Sequence, residues 1–138
     1  MSIFTTTSTS SGFSFTPVQS PLTLVSFGFK HIGGLGDASV TIDCRILKNP
    51  HNVPELKALT GRDQRVKDFI ANDPAFPALL AEATPYCRPG RVIAFGCYGG
   101  IHRSVAVAEM LFHQLAKQGL GIPLRCSHIT LNHQHEMI

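Results

Sequence analysis

The apolar positions of this chain form short continuous runs and one longer periodic stripe. Residues 22–29, 39–45 and 91–96 are runs of strand length, and the first and last are apolar almost throughout. Across residues 104–118 the apolar positions instead return every three to four residues, which predicts an amphipathic helix. Gly119 suits the end of that helix, because glycine readily adopts the left-handed conformation.

The weaker patterns complete a strand–helix alternation. Residues 60–73 and 75–83 predict two shorter helices, and residues 123–131 predict a last strand. Residues 48–59 contain two prolines and are expected to be largely irregular. This order predicts a single three-layer α/β domain with a mainly parallel sheet and right-handed crossovers.

The first 20 residues differ from the rest of the chain. They are rich in serine and threonine and have no apolar period, which predicts a disordered tail over residues 1–20. The folded domain is then expected over residues 21–138. With 138 residues in total, the chain suits one domain.

Composition narrows the classes of partner and compartment. The chain has 43 % apolar and 15 % charged residues, so a partner, such as a second copy of the chain, is expected to cover part of the surface. A formal net charge of +3 mildly favours an anionic ligand, but no dense basic run marks a dedicated nucleic-acid binder. We expect no signal peptide, no membrane span and a cytoplasmic location. The four cysteines form no C-x-x-C pair, and we expect no metal and no cofactor.

A glycine-rich segment joins the strand at 91–96 to the long helix. Gly99 and Gly100 allow a sharp turn and a close approach of the backbone to a ligand. The consecutive backbone N–H groups and the start of the following helix can together form an anion site. The pattern therefore predicts a phosphate-binding strand–loop–helix.

Side chains of the same segment fit this chemistry. Arg103 offers a planar fork that matches two phosphate oxygens. His102 adds a donor whose charge depends on pH, and Ser104 adds a hydroxyl. The alternative is a glycine-rich turn without a ligand.

The spacing of Cys97, Arg103 and Ser104 also spells C-x5-R-S, which resembles the signature of cysteine-dependent phosphatases. A cysteine close to a helix N-terminus and an arginine is in the environment that thiolate nucleophiles require. Gly96, however, stands where those families usually have histidine, and no aspartic general acid is identifiable. The alternative for Cys97 is a small side chain packed beneath the loop, and we interpret the chain as a binding module before an enzyme.

Five motifs occur in order along the chain, and together they are more specific than the loop alone. They are Ser26-Phe27-Gly28-Phe29-Lys30-His31, Asp43-Cys44-Arg45, Asn49-Pro50-His51, Leu59-Thr60-Gly61 and Gly96-Cys97-x-Gly99-Gly100-x-His102-Arg103-Ser104-Val105. In this the chain resembles the carboxyl-terminal domain of the RapZ family, the RNase adapter proteins. The resemblance extends from Leu22 to about His128.

The resemblance implies a domain that senses an amino-sugar phosphate, glucosamine-6-phosphate. It also implies small regulatory RNA and an endoribonuclease as partners, and an oligomeric state. Family members carry an amino-terminal kinase-like domain with a nucleotide-binding P-loop. Since no G-x-x-x-x-G-K-[ST] motif occurs here, nucleotide binding by that route is not expected of this chain.

The matching positions imply roles for individual residues. Asp43 and His51 would contact the sugar hydroxyls or the amine, since a carboxylate suits an ammonium group. Their alternatives are an ion pair of Asp43 with Arg45 and a loop histidine bonded to the backbone. For Lys30 and His31, a position on a solvated loop is as readily expected as a contact with the ligand. The candidate phosphate-binding residues are Cys97, Tyr98, Gly99, Gly100, His102, Arg103 and Ser104.

Two departures from the family pattern bear on function. Tyr98 is a bulky phenol where the family typically has a small hydroxyl residue, so it is expected to narrow the pocket or to stack on a ligand. Residues 126–136 contain no lysine or arginine, although this segment is usually basic in the family, which weakens the RNA prediction. His133, His135 and Glu136 are metal-ligand types, but a frayed tail is the favoured interpretation.

Overall fold

The structure is a computed structural model that describes residues 19–136. The predicted tail at 1–20 therefore lies almost wholly outside the described residues. Within that range no helix is both long and apolar enough to cross a membrane. The strands are β1 (Leu22–Gly28), β2 (Val40–Asp43), β3 (Val92–Cys97) and β4 (Leu124–His128), and the helices are α1 (Gln64–Ala71), α2 (Phe76–Ala83), α3 (Arg103–Gln118) and α4 (Ile129–Glu136).

The four strands form one parallel sheet in the order β2-β3-β1-β4. The central pair, β1 and β3, is aligned so that Gly28 lies beside Cys97 at the carboxyl end. Both strands are buried along nearly their whole length, which explains why their sequences are continuous apolar runs. The predicted α/β class and parallel sheet are confirmed.

The main core lies on one face of the sheet. Leu24, Ile93 and Phe95 point from the central strands into a cluster that includes Val107 and Leu111 of α3. Helices α1 and α2 complete this side of the domain. Alternation along β1 turns Val25 and Phe27 to the opposite face, and α4 packs against this strand. Helices therefore lie on both sides of the sheet.

Two predicted strands extend two or more residues beyond the observed carboxyl ends. Strand β2 ends at Asp43 because the chain turns there into a short 3-10 helix, Cys44–Ile46. Strand β4 ends at His128 rather than at residue 131, and α4 begins at Ile129. The first turn of α4 buries Thr130 and Leu131, which the sequence pattern instead assigns to the end of the last strand.

The remaining expectations agree with the structure. Residues 48–59 are turns and one short 3-10 helix, Pro50–Asn52. The two shorter helices of the prediction are α1 and α2, and Gly119 ends α3 with a φ of 63°. These local features depend on proline and glycine, whose conformational limits act without help from tertiary contacts.

Candidate anion-binding site

A pocket of about 290 Å³ opens at the carboxyl edge of the sheet. It is lined by Lys30 after β1, by Asn49 and His51 after β2, and by seven consecutive residues, 97–103, between β3 and α3. The carboxyl edge is where open α/β sheets normally bind ligands. The sequence-predicted loop is therefore the main wall of this pocket.

Direct backbone contact shapes the loop. Gly100 has a φ of +75°, and a Cβ added to it would lie 2.5 Å from the backbone nitrogen of Gly28. A Cβ added to Gly28 would in turn lie 2.6 Å from the carbonyl carbon of Gly99. The backbone of the loop is thus in direct contact with the backbone at the end of β1. Only glycine, which has no Cβ, permits this contact.

Several backbone donors of the loop are available. The N–H groups of Gly99, Ile101, His102 and Arg103 have no acceptor among residues 19–136. No side chain in this range caps the start of α3. The Gly100 N–H is used internally, because it donates to Cys97 Sγ at 3.3 Å. Unpaired amides at a helix start carry a partial positive charge and favour an anion.

Arg103 adds a full positive charge beneath these amides. It is only 7 % exposed, and its Nη1 donates to the carbonyl oxygens of Arg45 and Leu47 at 3.2 and 3.1 Å. Its Nε is buried and has no partner in the described part of the chain. No carboxylate of that part lies within ion-pair distance of the guanidinium. The buried guanidinium therefore bonds carbonyl groups but forms no ion pair within residues 19–136.

The other polar walls of the pocket add further cationic or titratable groups. Lys30 lies on one side, and the His51 and His102 rings lie on another with their centroids 6.4 Å apart. His102 Nε2 lies 3.2 Å from the carbonyl oxygen of Lys57, and burial lowers the pKa of this histidine. No aspartate or glutamate within residues 19–136 lines the pocket. The charged side chains that line it, Lys30 and Arg103, are both cationic, which favours an anionic ligand.

Cys97 and Ser104 both lie beneath the loop, which for Cys97 is the position that the alternative interpretation expects. Both are buried, with Cys97 Sγ and Ser104 Oγ 3.1 Å apart. The Ser104 N–H donates to the sulfur at 3.4 Å, and its Oγ also donates to the carbonyl oxygen of Phe27 at 3.3 Å. Ser104 does not line the pocket, because its hydroxyl is used beneath the loop, whereas Cys97 does.

Asp43 does not line the pocket either. Its carboxylate accepts two hydrogen bonds from the Arg45 guanidinium, at 2.9 and 2.7 Å. These bonds hold the pKa of Asp43 below its ordinary value. The Arg45 guanidinium also stacks on the Phe29 ring, 4.1 Å from its centroid. The structure thus favours the ion-pair alternative for Asp43 over the predicted sugar contact.

Asn49 and Ile101 line the pocket, although the sequence analysis assigns neither of them a role. Asn49 belongs to the same motif as His51, and its side chain accepts the His51 N–H at 3.1 Å.

Gly61 accounts for the motif Leu59-Thr60-Gly61. Its N–H donates to the Ile101 carbonyl oxygen at 2.8 Å, and a Cβ there would lie 2.4 Å from the His102 carbonyl oxygen. Gly61 therefore buttresses the loop from outside.

Two curated proteins are similar in sequence to about three quarters of this chain. A nucleotide-binding protein of Desulforapulum autotrophicum, HRM2_27900, is 44 % identical over 114 residues, which cover 75 % of this chain and 39 % of the relative. Nucleotide-binding protein Franean1_2060 of Parafrankia sp. is 42 % identical over 112 residues, which cover 72 % of this chain and 38 % of the relative. The chain thus spans about two fifths of the length of these curated relatives.

The family comparison covers almost all of the described residues. The family model of the RapZ C-terminal domain matches residues 20–132, a range that begins just before β1 and ends within α4. It includes the glycine-rich loop at residues 97–103 and the two glycines in close backbone contact, Gly28 and Gly100. The chain therefore belongs to the RapZ C-terminal domain family.

Proposed function

We propose that this domain binds a small phosphorylated metabolite without transforming it. The observation that carries the proposal is Arg103, a buried guanidinium with no carboxylate partner among residues 19–136 and with a buried Nε–H that has no acceptor there. A buried charge without compensation is costly. A phosphate group in the pocket would compensate it and would also accept the free N–H groups of the loop.

The pocket size and the family indicate the rest of the ligand. A volume of about 290 Å³ lies at the lower end of the range for small-molecule pockets, which suits a monosaccharide phosphate. Family membership makes glucosamine-6-phosphate the first ligand to test. The side chains of Asn49 and His51 are the polar groups on the pocket wall that would contact its hydroxyls.

Isothermal titration calorimetry with glucosamine-6-phosphate and inorganic phosphate tests the proposal. Arg103→Met should raise the Kd for both probes at least about tenfold, because hydrogen bonds to charged groups contribute roughly 1.5–3 kcal/mol each. Arg88→Met, which removes an exposed arginine in the turn before β3, is the matched control and should leave both values unchanged. Absence of binding by the folded protein at millimolar ligand would overturn the proposal.

Phosphate ester hydrolysis is a second candidate, favoured by the surroundings of Cys97. Its sulfur lines the pocket, and the N–H groups of Gly100 and Ser104 donate to it at 3.3 and 3.4 Å. The Cys97 sulfur would bond to phosphorus while the P–O bond to the leaving group breaks, and the thiol proton would pass to the leaving oxygen. Water would then cleave the S–P bond, which releases phosphate and restores the thiol. Turnover of an aryl phosphate that Cys97→Ser abolishes would establish this activity. Binding without turnover would exclude it.

The adapter role that the family resemblance implies is a separate proposal. RNA would be held through its phosphate backbone, so retention should fall steeply between about 50 and 200 mM salt. A filter-binding titration over that range measures the slope. Retention that does not change with salt, or none at low salt, would contradict an RNA-binding role.

A further inference from the structure

Tyr98 is exposed at the rim of the pocket. It is 58 % exposed and is one of four large apolar side chains exposed among the residues whose side chains the structure describes. The others are Ile46, Leu120 and Ile129, and none of these three lines the pocket. An exposed aromatic ring beside a ligand cavity therefore occurs at one position of the described chain.

The ring is held in place by structure that is present without a ligand. The Phe29 N–H donates to the Cys97 carbonyl oxygen at 2.8 Å, and the Lys30 N–H donates to that of Tyr98 at 3.0 Å. The pairing of β1 with β3 thus continues past both strand ends and fixes the Tyr98 backbone. The Lys30 ammonium lies 5.5 Å from the centroid of the Tyr98 ring, within cation–π distance.

The charged groups and main-chain amides of the pocket select for a phosphate but do not distinguish an open-chain ester from a cyclic one. Main-chain amides, Arg103 and Lys30 would attract any phosphate ester with similar strength. A tyrosine has few rotatable bonds and a large amphipathic surface, so it gives contact area at a low cost in conformational entropy. Its exposed ring surface can pack against a flat or cyclic group attached to the phosphate.

Building on the proposed phosphate site, we infer that Tyr98 is a specificity-determining residue that favours phosphate esters carrying a ring over open-chain esters. The ring of the ester would stack on the phenol, and Lys30 would hold the phenol in position and contribute charge to the phosphate. The ester class selected is then a cyclic sugar phosphate, with the ring next to the phosphate-bearing carbon.

Calorimetry with three probes separates the two roles. Tyr98→Ser should raise the Kd for glucosamine-6-phosphate about three- to tenfold, while the values for glycerol 3-phosphate and inorganic phosphate stay within about twofold. Tyr98→Phe keeps the ring and should retain the preference. Lys30→Met should weaken all three probes. Leu120→Ser, an exposed apolar residue outside the pocket, is the control and should change none of them.

Each outcome has a distinct meaning. If the wild-type protein binds inorganic phosphate but Tyr98→Ser weakens all three probes equally, or none, the inference fails and the phosphate site stands. If Tyr98→Ser binds the sugar phosphate more tightly, the phenol obstructs the pocket and the inference is wrong. If the folded wild-type protein binds none of the probes, the proposed function and this inference fail together.

Discussion

Gly28 is the residue on which the shape of the loop most depends. It lies at the end of β1, where its backbone touches those of Gly99 and Gly100. A side chain has no space here, since the neighbouring atoms belong to the main chain and cannot rotate away. The motif containing Gly28 is thus accounted for by packing of the loop, independently of any ligand.

Gly28→Ala should displace the loop and weaken phosphate binding at least about tenfold. The added Cβ would lie 2.6 Å from the Gly99 carbonyl group, and such overpacking typically costs about 1–3 kcal/mol of stability. Calorimetry and urea unfolding measure the two effects. Gly33→Ala is the matched control, because an added Cβ there has no described atom within 4 Å. Equal behaviour of the two variants would contradict the contact.

The sequence could predict the loop at residue scale but not all of its partners. Gly99, Gly100 and Arg103 were identifiable because their chemistry is local and their order along the chain is fixed. The carbonyl groups of Arg45 and Leu47 that bind Arg103 are brought there by the turn after β2, about 58 residues earlier. For Asp43 the sequence leaves two interpretations open, because an ion pair with Arg45 and a contact with a ligand amine would use the same carboxylate.

At the scale of elements, Glu109 of α3 connects several parts of the fold. Its carboxylate accepts hydrogen bonds from Lys67 Nζ of α1 at 2.8 Å, from His128 Nε2 of β4 at 2.9 Å and from Arg62 Nε at 3.2 Å. His128 Nδ1 in turn lies 2.7 Å from the Ser26 hydroxyl of β1. Two helices and two strands therefore share one buried polar network.

Glu109→Gln should lower the free energy of unfolding by about 3 kcal/mol, because removing one partner leaves buried charge uncompensated. Lys67 is the group most affected, as its side chain is only 11 % exposed. Urea unfolding at neutral pH measures the loss. Glu82→Gln, an exposed position on α2, should change stability by less than about 0.5 kcal/mol. A Glu109 variant as stable as this control would show that the network contributes little.

The elements differ in how far sequence determines them. Strands β1 and β3 and helix α3 follow from apolar patterns that are long enough to be unambiguous. Helix α4 was missed because Ile129 and Thr130 are β-branched and locally favour a strand. Its helical form depends on packing against β1, which no local pattern contains. The Glu109 network was also missed, since charged residues on helices usually indicate a solvated face.

At the scale of the whole molecule, stability should fall as the solution is acidified below about pH 6.5. Burial lowers the pKa of both His128 and His102 from the ordinary value of 6.5. The unfolded chain therefore binds more protons than the folded one just below that pH. The two histidines thus contribute stability that is present above about pH 6.5. This stability is lost as the pH falls through their pKa values in the folded state.

Urea unfolding at pH 7.5 and pH 5.5 tests this sign. We expect a lower transition midpoint at pH 5.5, with an unchanged slope against urea concentration. The buffers must be free of phosphate and sulfate, since an anion bound to the loop would stabilise the folded state by itself. A midpoint that stays constant or rises on acidification would contradict the lowered pKa of the two histidines.

The hydroxyl of Thr130 accepts the buried N–H of Gly28 at 3.1 Å. Helix α4 and the glycine-rich loop therefore both contact Gly28: Thr130 of α4 accepts its N–H, and the loop packs against its backbone. Exchange of that single proton with deuterated solvent would report on both. Truncating the chain before Thr130 would remove this hydrogen bond at the end of β1. The backbone against which the loop packs would then be less firmly held, although every residue of the pocket would be unchanged.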